Sequence, residues 1–244
     1  MSLELFVLPW GVYPRRVLIY LAEKGLLDSP RITITPVTLD GIKMIAPGKP
    51  PGSVPILSLG NGRFIKQSVA ILEYFEDICD EAQLSGKDIF GRQIAGSMRG
   101  KTAEEKARVR EMLEIADEAN THFGVACHKG TALFSSLEPQ NPEASTIAMD
   151  FCLKQLALLE PYYADDHRFE GEEVLGDSSA TVADCVLFSL LQFARVFYGR
   201  NLMEALPNLR LFYDAFGKRD SAKIGDDFYP AEMKPLAQQW LAES

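Results

Sequence analysis

The strand signals in this chain are confined to its first 65 residues, and from Ser68 onward the hydrophobic periodicity, wherever it is regular, is helical. That asymmetry constrains the fold more than any single motif. Mixed strand and helix signals followed by helix alone specify an α/β unit joined to an all-helical one. Leu3 to Leu8 is an apolar run of strand length, broken by Trp10-Gly11-Val12-Tyr13-Pro14. Pro14 then opens a helix through Val17 and Leu21 to a stop at Gly25, since proline suits a first turn and glycine the residue past a helix end. Arg31 to Leu39 reads as a second strand around Pro36, and Asp40 to Pro51 as a polar loop rich in glycine and proline. Val54 to Leu59 is a third strand, which Gly60-Asn61-Gly62 turns back into Arg63-Phe64-Ile65 as its antiparallel neighbour. Ser68 caps the helix whose Val69, Leu72, Phe75 and Glu76 positions give a mixed apolar face running to about Cys79.

From Asp80 to Lys101 the sequence turns polar and holds Gly86, Gly91, Gly96 and Gly100, the composition of a linker. The expected division is therefore an α/β domain over 1–82, a linker over 83–101 and a helical domain over 102–244. Thr102-Ala103-Glu104-Glu105 opens a long helix reaching Gly124 or Gly130. Ala144 to Tyr163 is a second helix, and Thr181 begins a third that is mostly apolar through Phe193, as a central buried helix must be. Helices around Leu206 to Phe216 and Glu232 to Leu241 complete the set.

Composition removes several function classes. The 47% hydrophobic and 24% charged residues of this 244-residue chain are those of a folded protein, which excludes disorder. A formal net charge of −9 argues against nucleic acid, whose phosphates are met mostly by Lys and Arg. The apolar stretch from Val186 to Phe197 is broken by Ser189, Gln192 and Arg195 and falls short of the roughly 20 residues that span a bilayer, so no membrane segment is expected. Met-Ser-Leu-Glu-Leu-Phe-Val lacks the basic start of a secretory signal, which points to the cytoplasm. Cys79, Cys127, Cys152 and Cys185 lie far apart, and His122, His128 and His167 are scattered, so no metal site is expected and the thiols read as core residues.

Three local features carry chemistry. A cis proline at Pro55 would leave the backbone of Val54 as an edge able to pair with an extended peptide. Gln67-Ser68 opens a helix where free amides and the dipole favour a carboxylate. The loop from Trp10 to Tyr13 brings more amides and positive dipole, which hold a thiol as thiolate below its reference pKa of about 8.5.

In this order, Gly52-Ser53-Val54-Pro55-Ile56-Leu57 and then Gln67-Ser68-Val69-Ala70-Ile71-Leu72-Glu73-Tyr74 closely resemble the cytosolic glutathione transferase family, over nearly the whole chain. Thr181-Val182-Ala183-Asp184 extends the likeness, matching the capping box of that family's central C-terminal helix. Independently of the name, Thr181 accepts from the Asp184 amide and the Asp184 carboxylate reaches back to the Thr181 amide. The resemblance implies an α/β thioredoxin-like N-terminal domain plus an all-α C-terminal domain, glutathione as co-substrate, a small hydrophobic electrophile as acceptor, and a homodimer. It implies that Val54 pairs with the cysteinyl part of glutathione, that Pro55 is the cis proline, and that Gln67 and Ser68 hold the γ-glutamyl carboxylate and amine. Lys43 or Lys49 pairs with the glycyl carboxylate, and the sequence does not choose between them.

The chain departs from the family at its thiol-activating residue. The serine or cysteine of many members falls on Gly11, and the tyrosine of others on Leu8 or Pro9. Tyr13 is the nearest hydroxyl and the candidate catalytic residue; the other route is the amides from Val12 to Arg15 with the helix dipole. Arg15 and Arg16 add charge there or form a solvated helix face. The loop holds no cysteine, which disfavours disulfide exchange. Trp10, His122, Phe123, Tyr163 and Tyr198 are acceptor-pocket candidates under the resemblance. The expected activity is conjugation of the glutathione thiolate to electrophiles, with peroxide reduction as a further activity; the alternative is a non-catalytic ligand-binding or assembly module.

Overall fold

The computed structural model describes residues 2–41, 43–86, 88–91, 94–164, 166, 168 and 180–241; His167 lies outside them. The described chain divides into two compact units, one within Met1–Lys106 and Glu172–Cys185, the other within Ala107–Gly171 and Val186–Ser244.

The first unit is built on β1 (Leu3–Val7), α1 (Val12–Glu23), β2 (Ile32–Pro36), β3 (Thr38–Asp40), β4 (Lys43–Ile45), β5 (Ile56–Ser58), β6 (Phe64–Ile65) and α2 (Ser68–Ser85). Its main sheet has the order β2-β1-β5-β6, with β2 parallel to β1 and the other neighbours antiparallel. This is the thioredoxin-like arrangement. Gly25 takes a left-handed φ of 77° past α1, and Leu26 N–H closes the end on Leu21 O at 2.6 Å. Gly60 and Gly62 adopt φ of 74° and 79°, which allows the tight turn between β5 and β6.

Three expectations change. The strand expected over Arg31 to Leu39 is two strands. Pro36 has no amide to offer, Val37 N–H makes a last bond to Val7 O at 2.8 Å, and the chain then leaves the sheet. The segment expected to be loop pairs β4 with β3 in a second, two-stranded sheet. Met44 and Ala46 pack partly buried against Phe6, Leu8, Val37, Val54 and Ile56, an apolar signal too short to stand out among glycines and prolines.

The polar stretch from Asp80 is also not a free linker. α2 continues to Ser85 because Cys79 and Ala82 keep its buried stripe in phase, and it ends at Gly86 with φ 63°. The chain beyond is fastened to the first unit: Phe90, Ala95 and Met98 are buried, and Ala95 N–H bonds Lys24 O at 3.0 Å.

In the rest of the chain, α3 (Ala103–Gly130) starts at a capping box in which Glu105 N–H bonds Thr102 Oγ1 at 3.1 Å and Thr102 N–H bonds Glu105 Oε2 at 3.1 Å. Asn141 caps α4 (Pro142–Leu159) through the Ala144 amide. The helix expected to reach Tyr163 changes at Pro161 into a 3-10 turn over Glu160–Tyr163. α5 (Val182–Gln192) begins at the expected box, Thr181 N–H on Asp184 Oδ2 at 2.7 Å and Asp184 N–H on Thr181 Oγ1 at 3.2 Å, and passes into a wider π turn over Phe193–Phe197. The Glu160 carboxylate accepts the Asn208 and Leu209 amides at 2.7 and 3.0 Å and so holds the start of α6 (Pro207–Phe216). A short α7 (Lys234–Gln238) stands where a longer helix was expected.

Candidate functional site

Sheet register gathers the candidate residues at one edge of the first unit. Phe6 pairs with Ile56 and Leu57 with Ile65, so the end of β1, the start of β5 and the end of β6 lie side by side. The loops leaving that edge open α1 and α2. Their N-termini therefore gather where Val54 and Pro55 enter the sheet.

The Val54–Pro55 bond is cis, and Val54, buried to 6% exposure, lies before the first paired residue of β5. The strand starts two residues later than expected, and the ladder with β1 stops at Ile56. Gln67, not Ser68, is the capping residue of α2: its backbone is extended (φ −114°, ψ 132°) and its side chain makes no capping bond. Ser68 is the first helical residue. Ile71 N–H bonds Gln67 O at 2.9 Å, so the amides of Ser68, Val69 and Ala70 precede the first intrahelical bond and face outward along the axis.

Ser68 is buried at 5% exposure, and Arg16 Nη1 donates to its Oγ at 3.3 Å. The reading of Arg15 and Arg16 as a solvated face is overturned: they are 8% and 0% exposed. The Arg16 guanidinium also lies 4.8 Å from the centre of the Tyr13 ring, a cation–π contact. Tyr13 is an exposed residue in the first turn of α1. Arg15 N–H already bonds Gly11 O at 2.9 Å and Pro14 has no N–H, so the amides open to a ligand there narrow to Val12 and Tyr13. A Cβ on Gly11 would lie 3.3 Å from Leu8 O, a tight fit for any side chain.

The lysines separate by position. Lys43 is exposed on β4, opposite Asp40. Lys49 donates to Gly52 O at 2.6 Å and Pro50 O at 3.1 Å, while Lys66 donates to Pro51 O at 3.2 Å. Two ammonium groups thus hold the carbonyls of the loop that precedes Val54. Partial burial, and then the neighbouring Lys66, lower the pKa of Lys49. Lys66 escaped the sequence reading although it adjoins Gln67. Its signal was a basic residue at a strand-to-helix junction.

Behind this edge lies a charge network whose one sequence signal is the place of Glu76 on the apolar face of α2. The Glu76 carboxylate, fully buried, meets Lys24 Nζ and the Tyr20 hydroxyl at 2.7 Å on Oε1, and Met98 N–H at 2.9 Å and Ser97 Oγ at 3.2 Å on Oε2. Arg99 binds Glu73, Asp77 and Asp80 at 2.9, 2.7 and 2.8 Å. Burial and Glu76 push the Tyr20 phenol well above its ordinary value. The four cysteines are buried and unbridged, and burial pushes the Cys79 and Cys152 thiols up to about 12, which keeps them protonated and unreactive at neutral pH. Among the described residues no group of His, Cys, Asp and Glu could hold a metal ion, and no helix is long and apolar enough to cross a membrane.

An α/β unit of this topology, followed among the described residues by helices and no further named strand, is a glutathione-transferase-like fold. The sequence model for the glutathione S-transferase N-terminal domain matches residues 10–78. Glutathione S-transferase 2 of Saccharomyces cerevisiae is 30% identical over 219 residues, 88% of this chain and 85% of the yeast protein. The chain belongs to the glutathione S-transferase family. Among solved structures, a glutathione transferase family member from Pseudomonas fluorescens Pf-5 with bound S-(propanoic acid)-glutathione shares the fold at TM-score 0.65 and 20% identity, over 91% of this chain and 97% of its own. Gtt2 from Saccharomyces cerevisiae does so at TM-score 0.61 and 23% identity, over 90% and 98%.

Proposed function

We propose that the protein is a transferase that binds glutathione at this edge and adds its thiolate to small hydrophobic electrophiles or peroxides. The observation that carries the reading is that the ladder between β1 and β5 stops at Ile56, beside the start of α2. It leaves the Val54 backbone outside the sheet ladder, available for two bonds to the cysteinyl part of an extended tripeptide. The first-turn amides of α2, with Gln67 and Ser68, take the γ-glutamyl end, and the dipole there favours its carboxylate. Lys43 remains a candidate for the glycyl carboxylate, and Lys49 and Lys66 add positive potential over the same loop. Glutathione and S-(propanoic acid)-glutathione, each bound in a structure of the Pseudomonas fluorescens family member, support the choice of ligand.

Activation of the sulfur falls to the start of α1. The Val12 and Tyr13 amides with the helix dipole stabilise developing thiolate, and the exposed Tyr13 hydroxyl supplies one more donor. No cysteine stands in this loop, so the nucleophile is the bound glutathione itself.

A pH titration of bound glutathione by thiolate ultraviolet absorbance tests docking and activation together. The expected result is saturable binding and a thiol that titrates well below its solution value. Tyr13→Phe then apportions the effect: a titration moved upward assigns the hydroxyl, and an unmoved one assigns the amides. Saturable binding with an unshifted thiol would overturn the transferase reading and leave a ligand-binding module.

A further inference from the structure

At the end of the first unit far from the proposed glutathione site, the structure holds a cavity of about 740 Å³. Leu3 opens β1 there and Ser85 closes α2, so roughly 26 Å of helix separate it from Ser68. A tripeptide, about 11 Å long when extended, cannot reach both. The floor of the cavity is apolar: Leu3, Ala82 and Phe90 are buried, and Ile78 and Ile89 half-buried. Its size and lining are those of a small-molecule pocket, for which about 300–1,000 Å³ is usual.

The walls are fastened before any ligand arrives. Ser29, buried between them, donates to Phe90 O at 2.8 Å and accepts the Arg31 amide at 3.2 Å. Leu3 N–H bonds Arg31 O at 2.9 Å, and a Cβ on Gly91 would come within 3.1 Å of Pro30 Cγ, so the two chain segments stand in close approach. A preformed pocket loses little affinity to its own ordering.

Four polar side chains stand at the rim, Arg31, Glu81, Ser85 and Asp88, and their bonds single out one of them. Asp88 Oδ1 is taken by the Gly91 amide at 2.6 Å. Glu81 leans, as helical side chains do, toward the start of α2, where burial and then its charge raise the Tyr74 phenol against the pull of Arg63. Ser85 Oγ donates to Ala82 O at 3.2 Å, and Gly86 N–H covers Ala82 O and Gln83 O, so carbonyls that close α2 meet donors of their own chain. The exposed Arg31 guanidinium, by contrast, makes no hydrogen bond or ion pair among the described residues. A planar cation beside an apolar floor suits a carboxylate joined to a hydrocarbon body.

We infer that this cavity is a second binding site, for an amphipathic carboxylate whose apolar chain or ring lies on the floor from Leu3 to Phe90 and whose anion pairs with Arg31. It uses no part of the glutathione site and stands whether or not glutathione docks there.

Calorimetry on the whole protein tests it with decanoate, and with decan-1-ol and decylammonium as chain-matched controls, all below their micellar concentrations. Decanoate should bind saturably and about tenfold more tightly than either control, in keeping with a charge-assisted bond. Arg31→Gln should cost decanoate about tenfold and decan-1-ol under about twofold. Ser85→Phe, which fills the cavity from its rim, should weaken both. The two variants change exposed side chains, and unchanged unfolding midpoints establish that the fold is kept. Saturating glutathione should leave the decanoate isotherm where it was. No saturable binding of decanoate, a preference for decylammonium, displacement by glutathione, or an affinity that either variant leaves unchanged would each overturn the inference. Failure of glutathione itself to bind sinks the docking reading alone, since none of the decanoate titrations depends on it.

Discussion

The interiors of the two units are made of different materials. Among the described residues every buried charge, namely Arg15, Arg16, Glu23, Lys24, Glu76 and Asp184, belongs to the first unit. The second buries only uncharged polar groups such as Thr131, Ser145 and Gln192, and fills its core with rings. Phe193 stacks on Phe197 at 5.3 Å and Phe197 on Tyr229 at 5.1 Å, and Trp240 Nε1–H is satisfied by Tyr198 O at 3.2 Å. Charges demand partners at fixed distances, while rings demand volume. The first unit is thus specified by geometry that tolerates little change, and the second by filling that tolerates conservative exchange.

Removal of the Glu76 carboxylate should separate the two most sharply. Glu76→Ala leaves the fully buried Lys24 ammonium with the Gly96 carbonyl at 2.8 Å but no counter-charge on Glu76, and an expected loss of about 3–5 kcal/mol follows from breaking a buried pair. Urea unfolding measures it. The double change Lys24→Met with Glu76→Leu should lose less than Glu76→Ala alone, and a loss equal to the sum of the single variants would deny the coupling. In the ring-filled core, Phe197→Leu should cost less, about 1–2 kcal/mol, because neighbouring rings can close on the smaller side chain; a cost above that of Glu76→Ala would invert the contrast. At the site edge, Ser68→Ala should weaken glutathione binding by about 1–2 kcal/mol, read by calorimetry, and unchanged affinity would remove Ser68 from the site.

The smallest effect is shared by both units. Burial raises the Cys79 and Cys152 thiols to about 12 from an ordinary 9.0, so the folded chain keeps protons that the unfolded chain gives up. Their contribution is whole well below pH 9 and is lost progressively as pH rises through 9 toward 12. Unfolding midpoints should fall between pH 8 and about 9 by a stability loss of order 1 kcal/mol, and Cys152→Ala should shrink the fall.

What the sequence disclosed follows the same division between local and distant causes. The Gly60-Asn61-Gly62 turn, the Thr181–Asp184 box and the helical periodicity of α3 to α6 are written in neighbouring residues, and the fold class was legible from them. The turn of the chain at Val54–Pro55 and the start of α2 were legible as well, with the cap displaced by one residue because extended backbone at Gln67 is set by the strand before it. The burial of Arg15, Arg16 and Lys24 was not, since a charged residue on a helix reads as solvated unless its partner is known, and Glu76, though on the apolar face of its helix, gave no sign of its partners. The partners stand 52 residues apart for Arg16 and Ser68 and 56 for Tyr20 and Glu76. The β3–β4 hairpin was hidden for another reason: three-residue strands leave too short a pattern to count.

Met98 ties both ends of a long excursion of the chain. Its N–H bonds the Glu76 carboxylate, and its carbonyl accepts Val182 N–H at 3.0 Å. The α/β unit is therefore not finished when its last strand and helix have been made. During synthesis, a chain that has emerged only as far as α4 still lacks the amide that closes Met98. A fragment cut after residue 101 would contain every strand of this fold and still carry an open seam at the place where the returning chain belongs.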